Sequence, residues 1–211
     1  YGRIASETLD YVLAEMTSAE GGFYSATDAD SEGREGVFFL WRPGEVEEIL
    51  GEDDAPLFCR YFNITTAGNF EEATSIAHVT AGLDEVAASL GIELEVARAK
   101  IEEGRKKLYE ARAKRPAPFR DEKVLTSWNG MMISALARGF QVLGEPRYLQ
   151  AAQRAAGLIL DQAQDGGRLL RVRKDGKSRI LGFLDDNAFF IEALLDLYES
   201  CFEVSYLEEA Q

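Results

Sequence analysis

The chain has 211 residues, of which 46% are hydrophobic and 28% are charged, a composition typical of a globular protein. It excludes collagen-like and disordered classes, and neither a membrane-spanning apolar run nor a signal-peptide pattern is present. The formal net charge of −14 repels phosphate backbones, so we expect no nucleic-acid and no membrane partner.

Apolar residues recur at helical spacing in five segments, and short strand signals lie between them. In chain order, the pattern predicts a helix over 5–16, strands over 37–41 and 77–80, helices over 94–108, 132–143 and 148–160, a hairpin of strands 169–173 and 178–181 joined through Asp175-Gly176, and a helix over 184–202. We therefore expect a mainly α fold.

An internal repeat refines this architecture. Residues 125–153 align without a gap with residues 183–211, at a constant offset of 58. The unit is a helix, a tight turn and an antiparallel helix, and repeated units of this kind stack in solenoids and toroids. We predict one partial toroid domain over 1–211. Because the chain starts at Tyr1 and the second copy stops before its return helix is complete, we expect it to be part of a longer protein.

Three long connections, over 18–44, 116–125 and 165–183, are the expected location of function. In stacked hairpins, the last two lie at the same rim as the starts of the helices that follow them. The first is predicted to join them there.

The first connection holds a glycine-rich and acidic motif over 21–33, which contains Tyr24, Asp28, Asp30 and Glu32. Three carboxylates could ligate calcium, but their spacing differs from that of an EF-hand loop. The same residues also form turns readily. We predict no metal site and no cofactor, and leave a turn and a ligand site as equal alternatives.

The second motif, over 121–130, opens a predicted helix. Thr126 or Ser127 is predicted to be its N-cap. Trp128 offers a stacking face and Asn129 a paired donor and acceptor, as sites for sugars or bases require. The alternative is that Trp128 is an ordinary core residue.

The third motif places Asp185 and Asp186 at the start of the last helix, the equivalent position in the repeat. One carboxylate suffices as a cap, so the second is available as a base, nucleophile or hydrogen-bond acceptor. His78, the only histidine, is interpreted as structural. Carboxylates with Trp, Tyr and Asn are the residues of a carbohydrate cleft, in which two acids flank a glycosidic bond.

We therefore predict a carbohydrate-acting or carbohydrate-binding protein with a sugar ligand. The predicted catalytic residues are Asp28, Asp30, Asp185 and Asp186. The predicted substrate-binding residues are Tyr24, Glu32, Trp41, Asp121, Trp128 and Asn129.

The three motifs, at 21–41, 123–130 and 182–186, closely resemble the YyaL-type thioredoxin-domain-containing family, which includes the spermatogenesis-associated members. The resemblance implies a thioredoxin-like domain followed by an α/α six-hairpin toroid, similar to six-hairpin glycosidases and N-acylglucosamine 2-epimerases. This chain would be part of the toroid. It departs from the family at Asp121-Glu122, before Lys123, and at Asn187, where the family has an aromatic residue.

Two alternatives stay open. The toroid could be an interaction module that presents partners to an attached thioredoxin-like domain, with the acidic segment 1–54 as its docking surface. The rim acids could also serve only as caps and turn residues. A partial toroid leaves hairpin flanks exposed, so we expect weak activity in isolation and self-association. Two widely separated cysteines, Cys59 and Cys201, favour a reduced, cytoplasmic protein.

Overall fold

The computed structural model describes residues 1–211 and is mainly α, with nine α-helices and seven short strands. This confirms the predicted fold class of antiparallel helical hairpins with short β-hairpins in the connections. The chain divides into two compact units, residues 1–27 with 120–211 and residues 28–119. A single domain over 1–211 stays a prediction. None of the helices combines the length and apolarity needed to span a bilayer.

The first unit contains five helices and five strands. The helices are α1 (Gly2–Glu15), α6 (Thr126–Leu143), α7 (Pro146–Gln162), α8 (Leu184–Cys201) and α9 (Val204–Glu209). The strands are β1 (Tyr24–Thr27), β4 (Arg120–Leu125), β5 (Gln164–Asp165), β6 (Arg168–Lys174) and β7 (Lys177–Leu181).

The repeat predicted from the sequence is visible as two helices, α6 and α8, that lie side by side and parallel. Hydrogen bonds join residues 58 or 59 positions apart along their length, which are Ser127 with Asp186, Arg138 with Asp196, and Gln141 with Ser200. The helices touch at Gly130, where an added Cβ would lie 2.7 Å from the Phe189 carbonyl carbon and oxygen. Only glycine permits this approach.

Helix α7 returns antiparallel to α6 through a tight turn. Gly144 adopts the left-handed conformation at the end of α6, and Pro146 starts α7, which follows the usual preferences for helix ends. Tyr148, in the first turn of α7, is completely buried, and its hydroxyl donates to Asp10 at 3.0 Å. Alanines 151, 152, 155 and 156 then bring α7 close to the core.

Helix α8 was predicted from an apolar stripe, but the side that it buries lies opposite that stripe. Phe190, Leu194 and Leu197 are buried. Leu184 and Ile191, which belong to the stripe, are 85% and 42% exposed. The helix is therefore apolar on two sides, and only one has a partner in this chain.

The strands of the first unit form a sheet in which β4 lies between β1 and β6. Strands β6 and β7 form the predicted hairpin. Asp175 and Gly176 at its turn have φ values of 50° and 71°, as a two-residue turn of this kind requires.

The second unit contains α2 (Pro43–Leu50), α3 (Ala55–Tyr61), α4 (Leu83–Leu90) and α5 (Leu94–Arg112). A 3-10 turn (Glu71–Ala73) and the two-residue strands β2 (Asp30–Ser31) and β3 (Arg34–Glu35) complete it. The predicted face of α5 is buried, with Ala97, Ile101, Gly104 and Leu108 inside. Helices α2 to α4 were missed because seven or eight residues are too few for a clear helical period.

The strands predicted over 37–41 and 77–80 are wrong. The carbonyls of Val37, Phe38 and Leu40 accept hydrogen bonds from Arg115 Nη1 at 2.7–3.3 Å, and 37–39 form turns. The Arg115 side chain thus supplies the hydrogen-bond donor that a neighbouring strand would have supplied. Residues 77–80 have no strand partner either, although the His78 amide donates to the Phe62 carbonyl. Arg115 lies three residues after the end of α5 and is largely buried, with 21% of its side chain exposed.

Candidate functional site

The starts of α6 and α8 meet the sheet at one edge of the first unit, which we call the rim. It comprises β1, β4, the β6–β7 hairpin and the first turns of the two helices. Six of the predicted site residues lie on these elements: Tyr24, Asp121, Trp128, Asn129, Asp185 and Asp186. Parts of all three long connections therefore converge, as predicted, within this unit.

Asp186 is fully buried and holds the two helix starts together. Its Oδ1 accepts from the Ser127 amide of α6 at 3.1 Å. Its Oδ2 accepts from the Phe183 amide and from Arg171 Nη1, both at 2.9 Å. Both oxygens are thus occupied, and the two backbone amides lie at helix starts, where no partner within the helix is available. In this structure Asp186 is a positioning residue.

The predicted N-cap of α6 is wrong. The cap is Leu125, which makes no side-chain bond, and Asp186 of the neighbouring helix satisfies the Ser127 amide instead. The Thr126 hydroxyl donates to the Leu170 carbonyl on β6 at 2.5 Å. A capping residue from a distant part of the chain leaves no local sequence signal.

Asn129 is also buried, and it links Phe23, the residue before β1, to α6. Its Oδ1 accepts from the Phe23 amide at 2.8 Å, while its Nδ2 donates to the Phe23 and Leu125 carbonyls at 3.0 Å. The paired donor and acceptor predicted from the sequence are therefore present, and they bind backbone.

Arg171 is a rim residue that the sequence analysis missed. Its Nη1 lies 3.4 Å from both oxygens of Asp185 and its guanidinium carbon 4.8 Å from the centre of the Phe183 ring. Partial burial lowers the pKa of Arg171, but the carboxylates of Asp186 and Asp185 outweigh it and raise the pKa. Strand alternation on β6 places Arg171 and Arg173 on one face, which is the signal that could have identified them.

The accessible groups of the rim are aromatic and charged. Trp128 is 50% exposed and Phe183 is 58% exposed. The Asp185 side chain is 48% exposed and that of Arg171 is 30% exposed. Arg171 and the Phe183 amide bond directly to the buried Asp186, while Trp128 follows Ser127, whose amide also bonds to Asp186.

Two further charged groups lie along the sheet. Lys123 pairs with Asp121 at 2.6 Å and, through its hydrogen bond, lowers the pKa of that carboxyl. The guanidinium of Arg120 lies 4.4 Å from the centre of the Tyr24 ring. Both predicted substrate-binding residues, Asp121 and Tyr24, therefore have cationic neighbours.

Two residues after Arg171 on β6, Arg173 forms a two-pronged ion pair with Glu20 at 2.7 and 3.1 Å. Arg173 is 7% exposed. Its hydrogen bond lowers the pKa of Glu20, although partial burial acts in the opposite direction. The pair fixes β6 against the segment that precedes β1.

The other predicted site residues lie in the second unit. Asp28 Oδ1 accepts from the Asp30 amide at 3.2 Å, and Glu32 and Gly33 form the left-handed turn between β2 and β3. Trp41 is buried beneath the guanidinium of Arg115, 4.0 Å from its ring centre. These contacts favour the turn interpretation of the first motif.

No three His, Cys, Asp or Glu side chains lie close enough together to hold a metal ion. His78 is held by three polar contacts: Nδ1 lies 2.9 Å from the Ile76 carbonyl and 3.3 Å from Asn69, and Nε2 lies 3.2 Å from Asn63. The structural interpretation of His78 agrees with these contacts.

Comparison with known proteins places the chain among named relatives. No protein-family model matches it. The chain is 32% identical over 244 aligned residues to spermatogenesis-associated protein 20 of Homo sapiens, a match that covers 100% of the chain. It is 31% identical to an uncharacterized protein of Caenorhabditis elegans, with 94% of the chain covered. In both cases the chain spans 31% of the relative's length.

Among solved structures, cellobiose 2-epimerase from Bacillus thermoamylovorans is similar with a TM-score of 0.41 and 11% identity. That match covers 99% of this chain and 52% of the epimerase. At this level of similarity we draw no conclusion about activity. The sequence matches, in contrast, show that the whole chain is homologous to one region of the spermatogenesis-associated proteins, the family that its three motifs predicted.

Proposed function

We propose that the rim binds a carbohydrate. The observation that carries this proposal is that the first turns of α6 and α8 and the adjoining strand β6 present two exposed aromatic residues, Trp128 and Phe183, and the accessible Arg171–Asp185 pair. Sugar rings present apolar C–H faces and hydroxyl edges. An aromatic plane suits the faces, and a charged donor beside a charged acceptor suits neighbouring hydroxyls.

Each accessible group has a defined part. Trp128 and Phe183 provide stacking surfaces, Arg171 donates to hydroxyl oxygens and Asp185 accepts from hydroxyl groups. Asp186 holds Arg171 and both helix starts in place without touching the ligand. Because Arg171 already faces two carboxylates, Asp186 and Asp185, the rim favours an uncharged sugar over a sugar phosphate or a uronic acid.

Catalysis is a further step of the proposal. Of the two adjacent aspartates, Asp185 is accessible and Asp186 is buried, so Asp185 is proposed as a base. Glycoside hydrolysis also needs a general acid, and epimerisation at carbon 2 needs a group that returns the proton. Asp28 and Asp30, both exposed, lie in the second unit, and their predicted catalytic role stays a prediction from the sequence.

The test is a ligand screen with the folded 211-residue protein. D-Glucose, D-mannose, N-acetyl-D-glucosamine and cellobiose would be titrated and followed by ligand-observed NMR. The same spectra report hydrolysis or epimerisation. We expect a Kd of about 0.1–10 mM for at least one sugar, and about tenfold weaker binding in Trp128→Ala.

The matched control is Phe202→Ala, which removes an exposed aromatic residue just beyond the far end of α8. It should bind as the unsubstituted protein does. A folded protein that neither binds nor converts any sugar up to about 50 mM would refute the proposal. Equal losses in both variants would show that the aromatic effect is not local to the rim.

A second candidate is an interaction module for a thioredoxin-like domain. It is favoured by the charge of the segment 1–54, which contains fourteen acidic residues and only three arginines. Binding of an isolated thioredoxin-like domain should then weaken steeply between about 50 and 500 mM salt. Binding that is insensitive both to salt and to charge reversal in this segment would exclude the module.

We also propose that the protein works in the cytoplasm, because both of its cysteines, Cys59 and Cys201, are free thiols. Fractionation of cells that express the tagged protein tests the location, and recovery from an oxidising compartment would contradict it.

A further inference from the structure

The β6–β7 hairpin is a basic element in an acidic protein. Residues 168–181 contain six lysines and arginines and a single acid. Two of these arginines, Arg171 and Arg173, form ion pairs with carboxylates of the chain. Arg168 and Arg179 do not, and neither guanidinium forms a hydrogen bond or a ring contact either. Two exposed arginines of the hairpin therefore keep all of their donors free.

Both of these arginines line one cavity of about 670 Å³, a volume typical of small-molecule sites. Leu170 and Leu181, which lie opposite each other on the two strands, give the lining an apolar part. Asp165 is its only acidic residue, so the formal charge of the lining is +1. The cavity thus combines two free guanidinium groups with an apolar surface.

A cavity of about 480 Å³ in the second unit provides the comparison, because three arginines line it as well. Each of them is bound to an acceptor of the chain. Arg34 pairs with the Glu72 carboxylate at 2.8 Å, Arg42 donates to the Glu72 carbonyl at 3.0 Å, and Arg115 pairs with Glu45 at 3.3 Å. There the fold supplies the acceptors, whereas in the hairpin cavity it supplies none. The hairpin cavity is therefore the one suited to an anion from solution.

We propose that the hairpin cavity binds a small organic carboxylate, whose carboxylate group contacts Arg168 and Arg179 and whose apolar part lies against Leu170 and Leu181. The planar guanidinium group matches a carboxylate through two parallel hydrogen bonds. A lining charge of +1 balances one carboxylate, whereas a phosphate ester would bring about two negative charges. The proposal does not depend on the sugar proposed above, because none of the four accessible rim residues lines this cavity.

The test is a titration of the isotope-labelled 211-residue protein with hexanoate, followed by two-dimensional NMR of the backbone amides and the arginine Nε–H groups. We expect a Kd of about 0.5–10 mM, with shifts concentrated at residues 165–182. Hexanamide has the same shape without the charge and should bind at least tenfold more weakly. Acetate lacks most of the apolar part and inorganic phosphate has the other charge, and both should bind more weakly than hexanoate.

Three variants assign the contributions. Arg168→Gln/Arg179→Gln should weaken hexanoate at least tenfold, and because both side chains are exposed, the remaining spectrum should stay that of the folded protein. Lys106→Gln/Lys114→Gln is the matched control, which removes two exposed cations without ion pairs from the second unit and should leave binding unchanged. Asp165→Asn removes the one acid of the lining and should strengthen hexanoate binding about twofold to threefold.

Three results would overturn the proposal: equal affinity for hexanoate and hexanamide, no shifts at residues 165–182 up to about 50 mM hexanoate, or the same loss in the lysine control. Tighter binding of inorganic phosphate than of hexanoate would assign the two arginines to a phosphate group and overturn the proposed ligand class.

Discussion

Replacing Asp186 by asparagine tests the interpretation of this carboxylate as the residue that joins two helix starts. The carboxylate accepts from two backbone amides and one guanidinium nitrogen, through both of its oxygens. An amide of the same shape has one oxygen. Whichever way it is oriented, its NH2 group faces a donor, either the Ser127 amide or the Phe183 amide with Arg171.

The magnitude follows from these contacts. One buried backbone amide that loses its acceptor costs about 1–3 kcal/mol. Arg171 also loses a buried charged partner, although its own partial exposure reduces that contribution. We therefore expect Asp186→Asn to lower the free energy of unfolding by about 2–4 kcal/mol. For a chain of this length, the melting temperature would fall by roughly 5–15 °C.

The assay is urea unfolding followed by circular dichroism, with amide hydrogen exchange as the local readout. Exchange should accelerate most at Ser127 and Phe183. Asp185→Asn is the matched control, because this exposed carboxylate makes only 3.4 Å contacts and should change stability by no more than about 0.5 kcal/mol. Equal effects of the two substitutions, or unchanged exchange at Ser127, would refute the reasoning.

Three further predictions concern packing, pH and thiol chemistry. Gly130→Ala should destabilise the protein by about 1–3 kcal/mol in urea unfolding, because the new Cβ meets the backbone of Phe189, despite the better helix propensity of alanine. The hydrogen bond from Arg173 lowers the pKa of Glu20 below its ordinary value of 4.5, so their pair stabilises the fold above that pH and is lost as the pH falls through the lowered pKa. Glu20→Gln should therefore reduce the loss of stability between about pH 5 and about pH 3. Burial, with a contribution from Glu47, raises the pKa of the Cys59 thiol to about 11, and its alkylation rate, measured by peptide mass spectrometry, should rise about tenfold per pH unit from about pH 7 to about pH 9.

Each of these has a clear contrary result. A neutral or stabilising Gly130→Ala would show that α6 and α8 are not in contact there. An acid limb that Glu20→Gln leaves unchanged would assign acid sensitivity to other carboxylates. Alkylation of Cys59 that levels off below about pH 9 would show an accessible thiol with an ordinary pKa.

Local pattern was sufficient for much of the fold. The helical period located α1 and α5 to α8, and the Asp175-Gly176 pair located the β6–β7 turn, because these features depend on neighbouring residues alone. The constant offset of the repeat also predicted that α6 and α8 are equivalent. The period of α8 did not predict which side is buried, since this helix is apolar on two sides.

The candidate site, too, was predicted only in part. The sequence predicted that Trp128, Asn129, Asp185 and Asp186 belong together at the starts of equivalent helices, and the structure places them so. It did not predict that Asn129 binds the backbone of Phe23 or that Asp186 caps a helix 59 residues earlier in the chain. Both roles depend on partners that are distant in sequence.

By itself, then, the sequence determined the helical class, the hairpin repeat, the family and the acidic and aromatic composition of the rim. Only the tertiary structure decided which carboxylate is buried among donors and which is accessible, that Arg171 lies beside them, and that the apolar stripe of α8 faces outward. Burial and hydrogen-bond partners arise from packing between distant segments, and local spacing carries no information about them.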